Sequence, residues 1–219
     1  KKRQVSLISG NWSQSGSIIH TTQQNKYAND ILTCLPDLEK YQRLRVRVFT
    51  GRGHNGEPIL FERLGDFLGS GNHVHFSEEE WVRFYIWDLE RHFMEMREAA
   101  RLAGKPISTI VFCGDCHGMV SAILSGKIRG VIPLLKTLAK SVEEFYPEIA
   151  ARIILFRVPR VGAWFYRAVR AFLDPVTASK IHLHSGVPTD EFLKWMPREA
   201  IPSEYGGSCH LPYPPTATR

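Results

Sequence analysis

Short apolar segments alternate with amphipathic ones from residue 106 to residue 196, and this alternation constrains the fold more than any other feature of the chain. The segments with the length and composition of strands are PISTIVFC (106–113), RIILFRV (152–158) and KIHLH (180–184). The segments with helical periodicity cover about 127–145, 160–172 and Thr189 to Met196. Strands that alternate with helices form a sheet that the helices cover. We therefore predict an α/β fold.

The first half of the chain predicts a hairpin followed by a long helix. The strictly alternating RLRVRVF (43–49) and the apolar PILFERLG (58–65) are two strands, joined by the turn-rich segment TGRGHNGEP. Ser77 and Glu80 have the spacing of a capping box, and large apolar residues then recur every three or four positions. This periodicity predicts one helix that ends near Gly104.

Composition divides the 219 residues into one domain and two flanking segments. Residues 1–42 include a stretch rich in Ser, Gln, Asn and Gly, which indicates an N-terminal arm or a reduced helical lobe with a short helix at about 27–35. Residues 43–207 form the α/β domain, and residues 208–219 form a Pro-rich, extended tail. A chain of this length that is 43% hydrophobic can bury a core as one domain.

Charge and hydropathy narrow the class of partner and the compartment. The net charge of +6 favours an anionic partner. Charge alone does not distinguish nucleic acid from a phospholipid surface. No run of about 18 apolar residues is present, so no transmembrane helix is predicted. Four cysteines are too few for a disulfide scaffold and indicate a reducing compartment, so we expect a cytoplasmic protein.

The segment CGDCH (113–117) has the C-x-x-C-H pattern of haem attachment, and CGDC also fits a thiol redox pair or half of a zinc site. Haem attachment needs assembly in an oxidising space, and a redox pair needs a helix start directly behind it, where the residue pattern predicts none. A structural zinc site needs two more ligands, and the compact candidates, Cys209 and His210, are adjacent to each other and distant in the chain. We therefore interpret Cys113 and Cys116 as small buried residues and expect neither a metal nor a cofactor.

Five ordered motifs give the chain a family resemblance. They are NGEPILFERLG (55–65), a strand ending in Asp115 and followed by Gly118 and a helix, EEFYPEIAARIILFRVP (143–159), FLDPVTASKI (172–181) and IPSEYGG (201–207). In this order they resemble the CRAL-TRIO lipid-binding family, in its phosphatidylinositol/phosphatidylcholine transfer type. The resemblance implies a mixed sheet that forms the floor of a lipid pocket, covered by helices of which one is a gate. It also implies lipid binding and exchange without covalent chemistry, so the protein is not expected to be an enzyme.

A pocket for two acyl chains has to be closed and apolar. About 30 methylenes exposed to water represent roughly 24 kcal/mol, at about 0.8 kcal/mol each. We expect strand residues to form the floor of such a pocket. The floor candidates are Ile59, Ile110, Phe112, Ile154 and Phe156, and Phe49 and Leu60 are further pocket candidates.

Residues 160–172 are the candidate gate. On a helical wheel six apolar residues share one broad face, and three arginines cluster on the other. The apolar residues are Val161, Trp164, Phe165, Ala168, Val169 and Phe172, and the arginines are Arg160, Arg167 and Arg170. Periodicity alone fits an ordinary amphipathic surface helix equally well. The resemblance instead implies a helix that is apolar toward acyl chains and basic toward anionic headgroups, with transient, peripheral association with a membrane.

The resemblance also implies a phosphatidylinositol headgroup site. In the family, the Glu of the YPE motif and the Lys of the SKI motif contact the phosphoinositol group, and here these residues are Glu148 and Lys180. Asp174 and Thr177 of the DPVT motif belong to the same site, and Pro58 of the NGEP motif also matches. For each residue taken alone, a solvated surface charge or a helix cap is the simpler explanation. Together, in matching positions, they favour a phosphatidylinositol site.

Two departures from the family pattern bear on the ligand. The family's choline-lipid site uses hydroxyl and tyrosine side chains where this chain has Phe49, Leu60, Ile110 and Phe112, so a choline phosphate would be buried without partners. The family's N-terminal helical lobe is not recognisable in residues 1–42. We therefore expect phosphatidylinositol as the ligand, a sterol or another apolar lipid as the alternative second ligand, and an anionic membrane, not nucleic acid, as the charged partner. The alternative function is a lipid-sensing or protein-interaction module of a larger signalling protein.

Overall fold

A computed structural model of the chain describes residues 46–70, 77–146 and 148–210. The helix predicted at about 27–35, the rest of the N-terminal segment and the tail beyond residue 210 lie outside these residues. Within the described ranges, no helix is both long and apolar enough to cross a bilayer.

Five strands form one mixed sheet in the order β1-β2-β3-β4-β5. The strands are β1 (Arg47–Arg52), β2 (Pro58–Glu62), β3 (Ile110–Asp115), β4 (Ala150–Phe156) and β5 (Ile181–Leu183). β1 and β2 are antiparallel, whereas each later pair of neighbours is parallel. The predicted hairpin, the three later strands and the α/β class are therefore confirmed.

Seven helices and four 3-10 turns lie in the described ranges. The helices are α1 (Leu64–Ser70), α2 (Glu78–Ala103), α3 (Met119–Leu124), α4 (Val131–Phe145), α5 (Ala163–Arg170), α6 (Pro175–Ser179) and α7 (Thr189–Trp195). The 3-10 turns are Lys127–Gly130, Arg160–Gly162, Arg198–Ala200 and Ser203–Tyr205. The predicted helices at 127–145 and 160–172 thus each begin with a 3-10 turn. Helices α1 and α6 are not predicted from the sequence: α1 begins at Leu64, inside the segment 58–65 that is predicted as a strand, and α6 has only five residues, too few to show a helical period.

Helix α2 begins and ends where its local sequence predicts. The backbone N–H of Glu80 donates to Ser77 Oγ at 3.2 Å, and the backbone N–H of Ser77 donates to Glu80 Oε2 at 2.7 Å. These two bonds satisfy donors that the first helical turn leaves free. Gly104 ends the helix with a φ of 64°, a left-handed conformation that glycine adopts without steric cost.

The sheet is buried on both faces. Side chains alternate along each strand, so neighbouring residues of β4 point to opposite sides. Ile154 and Phe156 point to the side that α7 and the turn Ser203–Tyr205 cover, which we call the tail face. Ile153 and Leu155 point to the side that α1 to α5 cover, which we call the cavity face.

Candidate functional site

An apolar cavity of about 540 Å³ lies between the sheet and the helices on the cavity face. Its floor consists of Ile153 and Leu155 of β4 and of Ile181 and Leu183 of β5. Cavities of about 300–1,000 Å³ are typical of small-molecule sites. Because β4 runs along the floor for seven residues at about 3.3 Å each, the cavity can hold an elongated ligand.

Apolar side chains of four helices form the walls. They are Leu64, Phe67 and Leu68 of α1, Trp81 and Tyr85 of α2, Met119 of α3, and Leu134, Leu135 and Leu138 of α4. On α4 these residues are spaced one and three or four positions apart, which places them on one side of the helix. The apolar stripe of α4 therefore faces the cavity and the other helices rather than the solvent.

Helix α5 covers the cavity, and residues 160–173 around it are called the cover segment below. Phe165, Val169 and Phe172 line the cavity, and their spacing of four and three residues places them on one helical face. Trp164 lies beside this face and packs edge-on against Phe165, with ring centroids 6.0 Å apart. Three of the six predicted gate residues thus face the cavity.

The remaining gate residues lie away from the cavity. Val161 is 47% exposed in the turn that precedes α5, and Ala168 is half-buried outside the cavity lining. Arg160, Arg167 and Arg170 are exposed to solvent. The cover segment therefore has an apolar inner side and a basic outer side, the amphipathic arrangement that its sequence predicts.

Three polar residues line the cavity next to the starts of β4 and β5. Glu148 lies just before β4. Asp174 lies just before α6 and Thr177 within it, and α6 leads into β5. All three residues line the cavity. Asp174 is the N-cap of α6, and its Oδ1 accepts a hydrogen bond from the backbone N–H of Thr177 at 2.9 Å. Hydrogen bonds from the Thr177 side chain and backbone hold the pKa of Asp174 below its usual range, so this carboxylate is ionised at neutral pH.

The other two predicted headgroup residues, Lys180 and Pro58, do not line the cavity. Lys180 is the C-cap of α6, half-buried, and its charge helps to lower the pKa of Asp174, but it is not part of the cavity lining. Pro58 is buried at the start of β2, two strands away from β4. Glu148, Asp174 and Thr177 therefore line the same cavity, Lys180 is close enough to Asp174 to affect its pKa, and Pro58 lies apart from them.

The expectation that Ile59, Ile154 and Phe156 form the cavity floor is corrected by the structure. All three are 0% exposed and belong to the core of the tail face, where Phe156 packs edge-on against Phe192 with ring centroids 5.3 Å apart. A shift of one residue along a strand moves every side chain to the other face. The residues on the floor are therefore the neighbours Ile153 and Leu155.

Four other predicted pocket residues lie on the cavity face but outside the cavity lining. Phe49, Leu60, Ile110 and Phe112 pack together with Met96 of α2. The C-terminal half of α2 covers this part of the sheet and fills the space above it. These residues form a core next to the cavity and not its wall.

Tyr146 and Glu90 make a polar contact that the residue pattern does not predict. Tyr146 lines the cavity, and its hydroxyl donates a hydrogen bond to Glu90 Oε1 at 2.8 Å. Burial and the neighbouring carboxylate raise the pKa of Tyr146 well above its usual value, so the phenol is protonated. Tyr146 is the first residue of the YPE motif, and this is the one feature of the sequence that marks it as a residue of the cavity.

The cysteines of CGDC are buried on opposite sides of the sheet. Cys113 belongs to the core of the tail face and Cys116 to the core around the cavity. Helix α3 does begin close behind them, at Met119, which corrects the expectation from the residue pattern. Burial nevertheless raises the pKa of Cys116 to about 12, so the thiol is not activated. The described residues hold no group of three or more His, Cys, Asp or Glu side chains arranged to bind a metal ion.

Comparison with known sequences gives matches over most of the chain. A family model described as CRAL/TRIO domain matches residues 42–207. Protein real-time of Aedes aegypti is 32% identical over 171 residues, which cover 74% of this chain and 26% of that protein. SEC14 cytosolic factor of Candida glabrata is 27% identical over 159 residues, covering 72% of this chain and 51% of that protein. Phosphatidylinositol/phosphatidylcholine transfer protein SFH4 of Arabidopsis thaliana is 25% identical over 175 residues, covering 80% of this chain and 28% of that protein.

Comparison with solved structures gives the same fold. The crystal structure of Sfh5 aligns with a TM-score of 0.55 over 84% of this chain and 54% of that chain, at 14% sequence identity. This likeness shows the fold alone. The chain spans about a quarter to about a half of the length of these three relatives.

Proposed function

The chain belongs to the CRAL/TRIO domain family of lipid-binding proteins, and from that premise we propose that it binds one phosphatidylinositol molecule in the cavity under α5 and exchanges it at membrane surfaces. The observation that carries this proposal is the polarity of the cavity. Its floor, walls and cover are largely apolar, whereas Glu148, Asp174 and Thr177 line it next to the starts of β4 and β5. This distribution suits an amphiphile with a hydroxylated headgroup. The role proposed is carriage of a lipid without covalent chemistry.

The apolar part of the cavity can shield acyl chains from water. Burial of each methylene is worth about 0.8 kcal/mol, so a ligand with two acyl chains gains from every side chain that lines the cavity. The cover segment supplies the inner side of the lid through Phe165, Val169 and Phe172. For the lipid to enter or leave, this segment has to move away from the floor.

The polar part of the cavity lining suits an inositol headgroup. The carboxylates of Glu148 and Asp174 accept hydrogen bonds, and inositol hydroxyls donate them. Lys180 beside Asp174 supplies the positive charge that the phosphate needs. The printed name of one relative, phosphatidylinositol/phosphatidylcholine transfer protein SFH4, adds support for this class of ligand.

The surface next to the cover segment suits an anionic membrane. Helix α3 packs against the turns Lys127–Gly130 and Arg160–Gly162, and it exposes Val120 and Leu124, the latter to 76%. Lys127, Arg129 and Arg160 are exposed on these turns. Apolar side chains between cations bind the interface of anionic bilayers, and each cation near such a surface contributes about 1 kcal/mol. We propose that the protein acts in the cytoplasm, as the name SEC14 cytosolic factor suggests for a relative, and associates with membranes transiently.

Transfer of labelled lipid between vesicles tests the ligand. We expect measurable transfer of phosphatidylinositol and negligible transfer of phosphatidylcholine. Inositol hydroxyls can donate hydrogen bonds to the carboxylates of Glu148 and Asp174 in the cavity lining, whereas a choline group has no hydrogen-bond donor. Transfer of phosphatidylcholine at a comparable rate would refute the assignment of specificity. Absence of any lipid in native mass spectra and absence of transfer would refute the carrier function itself.

Salt and surface variants test the membrane contact. Vesicle binding should weaken as ionic strength rises, whereas lipid already in the cavity should be retained. Leu124→Ser should reduce binding to anionic vesicles. Leu102→Ser is the matched control, because Leu102 is 65% exposed at the end of α2 and is flanked by the exposed cations Arg101 and Lys105. Equal binding by the two variants would show that α3 does not contact the membrane.

A second candidate, a lipid-sensing module of a larger signalling protein, is favoured by one observation. The chain spans only 26% of the length of the mosquito protein real-time that it resembles. A sensing module would bind lipid without speeding its movement between vesicles. Stable lipid loading combined with transfer no faster than the spontaneous rate would favour this second function.

A further inference from the structure

The residue that connects β4 to the cover segment has an unusual backbone. Arg157 follows directly after β4 and has a φ of 52°. This left-handed conformation is unfavourable for a residue with a Cβ and persists where the surrounding structure holds it. The connection onward to α5 is short and stiff, because it contains Pro159, whose carbonyl accepts a hydrogen bond from the backbone N–H of Gly162 at 2.8 Å.

A buried carboxylate holds the Arg157 side chain. Arg157 Nε donates a hydrogen bond to Asp115 Oδ1 at 2.7 Å, and its Nη2 donates to Asp115 Oδ2. Asp115 is 2% exposed and accepts two more hydrogen bonds, from the Tyr205 hydroxyl at 2.8 Å and from the backbone N–H of His117 at 2.9 Å. A two-point contact with a carboxylate fixes both the position and the plane of a guanidinium group.

Tyr205 connects this contact to the core of the tail face. Its ring lies 5.5 Å from the guanidinium carbon of Arg157, and it packs against Phe61 and Phe156 with ring centroids 5.7 and 4.8 Å apart. Asp115 lies at the end of β3 and Tyr205 near the end of the described chain. Three segments distant in sequence therefore meet at Arg157, which we call the clamp (Asp115, Arg157 and Tyr205).

We infer that Arg157 is a positioning residue that holds α5 over the cavity and thereby limits the rate of ligand exchange. The inference rests on the proposed function, because exchange requires the cover segment to move. Since residues 158–162 are few and include Pro159, a swing of α5 at this end has to be accommodated at or next to Arg157. The backbone N–H groups of Arg157 and Val158 also donate hydrogen bonds to the carbonyls of Gly186 and His184, at 3.2 and 3.0 Å. The clamp adds a side-chain contact to these bonds, and α5 stays closed while the clamp is formed.

The strand itself supplies a matched control. Arg152 lies on β4, its Nη2 donates to Glu191 Oε1 at 2.6 Å, and its guanidinium carbon is 5.2 Å from the Trp195 ring. Arg152 lies on β4 and Arg157 directly after it, and each has a carboxylate partner and an aromatic neighbour. They differ in that Arg152 lies far from the cover segment, at the other end of β4.

Amide hydrogen exchange of Arg157→Gln and Arg152→Gln tests the inference directly. Loss of one buried contact changes a local opening equilibrium by about fivefold or more, so amides of α5 should exchange at least about fivefold faster in Arg157→Gln. The amides of α2 should be unchanged, and Arg152→Gln should leave α5 unchanged. Arg157→Lys, which keeps the charge but loses the two-point contact, should be intermediate. Equal exchange of α5 in the two glutamine variants, or faster exchange of all helices together, would overturn the inference.

Transfer of labelled phosphatidylinositol between vesicles separates this inference from the proposed function. We expect about fivefold faster transfer by Arg157→Gln than by Arg152→Gln. If α5 is loosened but the wild type transfers no lipid, the clamp stands and the proposed function fails. If the wild type transfers lipid and Arg157→Gln does so at the same rate, the inference is wrong. Should Arg157→Gln not fold, Tyr205→Phe removes one hydrogen bond to Asp115 and should loosen α5 in the same direction, and no change there would also refute the clamp.

Discussion

Replacement of two adjacent isoleucines of β4 by tryptophan should have opposite effects on stability and on lipid loading. Ile153 faces the cavity, so the larger side chain of Ile153→Trp enters empty space and should change the free energy of unfolding of the lipid-free protein by less than about 1 kcal/mol. Ile154 is 0% exposed in the core of the tail face. Overpacking there costs about 1–3 kcal/mol, which lowers the melting temperature of a chain of this size by about 2–12 °C.

The effect on loading follows from the volume that tryptophan takes from the ligand. Tryptophan has about six more heavy atoms than isoleucine, and displacement of a similar number of methylenes at about 0.8 kcal/mol each removes at most about 5 kcal/mol of binding. Because acyl chains can shift, we expect a loss of loading of at least about tenfold, or 1.4 kcal/mol, for Ile153→Trp. Ile154→Trp should load lipid normally at a temperature at which it is folded.

Thermal unfolding of the delipidated proteins and mass spectrometry of extracted lipid measure the two effects. The reversed result, with Ile154→Trp unable to load lipid while fully stable, would show that the side of β4 that meets the ligand has been misassigned. Normal loading by Ile153→Trp would show that the ligand does not occupy the cavity under α5.

Three further predictions concern charge and protonation. Lys180→Ala should weaken phosphatidylinositol loading by about 1.5–3 kcal/mol, or roughly 10- to 150-fold, with little change in melting temperature. The control variant Lys194→Ala, on α7, should load the lipid normally. Equal loading by the two variants would show that Lys180 does not belong to the headgroup site. A hydrogen bond from Arg152 lowers the pKa of Glu191 from 4.5 to about 2. The contribution of Glu191 to the free energy of unfolding is therefore complete above pH 4.5 and is lost as the pH falls toward 2. Measured by denaturant unfolding between pH 2 and 4.5, the free energy of unfolding should depend less on pH in Glu191→Gln than in the wild type. An equal pH dependence in both proteins would show that Glu191 does not contribute to stability in this way. Because burial raises the pKa of Cys116 to about 12, iodoacetamide at pH 8 should leave this thiol unmodified in the folded protein and modify it after denaturation, as peptide mapping can measure.

Helix α2 illustrates what short-range sequence signals determine. Ser77 and Glu80 satisfy each other's backbone donors three residues apart, and Gly104 ends the helix by its own conformational freedom. Each of these interactions involves residues within one turn of the chain. The bounds of α2, the hairpin of β1 and β2, and the order of the five family motifs could therefore be predicted before any packing was known.

The orientation of β4 illustrates what these signals leave undetermined. The run from Ile153 to Phe156 is apolar at every position, because a strand in the parallel part of a sheet is covered on both faces and shows no alternation. The register of β4 against β3 and β5 decides that Ile154 and Phe156 pack on α7 while Ile153 and Leu155 face the cavity. The same limit applies to Phe49, which lies on the cavity face but under α2.

The sequence by itself determined which side chains are apolar, where α2 and α7 begin and which polar residues belong to the family's motifs. The tertiary structure alone decided which apolar side chains pack against one another and which border an empty volume. The cavity is the space that remains when α1, α2, α4 and α5 pack on the sheet. Its outline depends on contacts between residues far apart in the chain. The meeting of Asp115, Arg157 and Tyr205 has the same origin, because three separate segments have to fold before one buried carboxylate can hold the residue that leads into the cover segment.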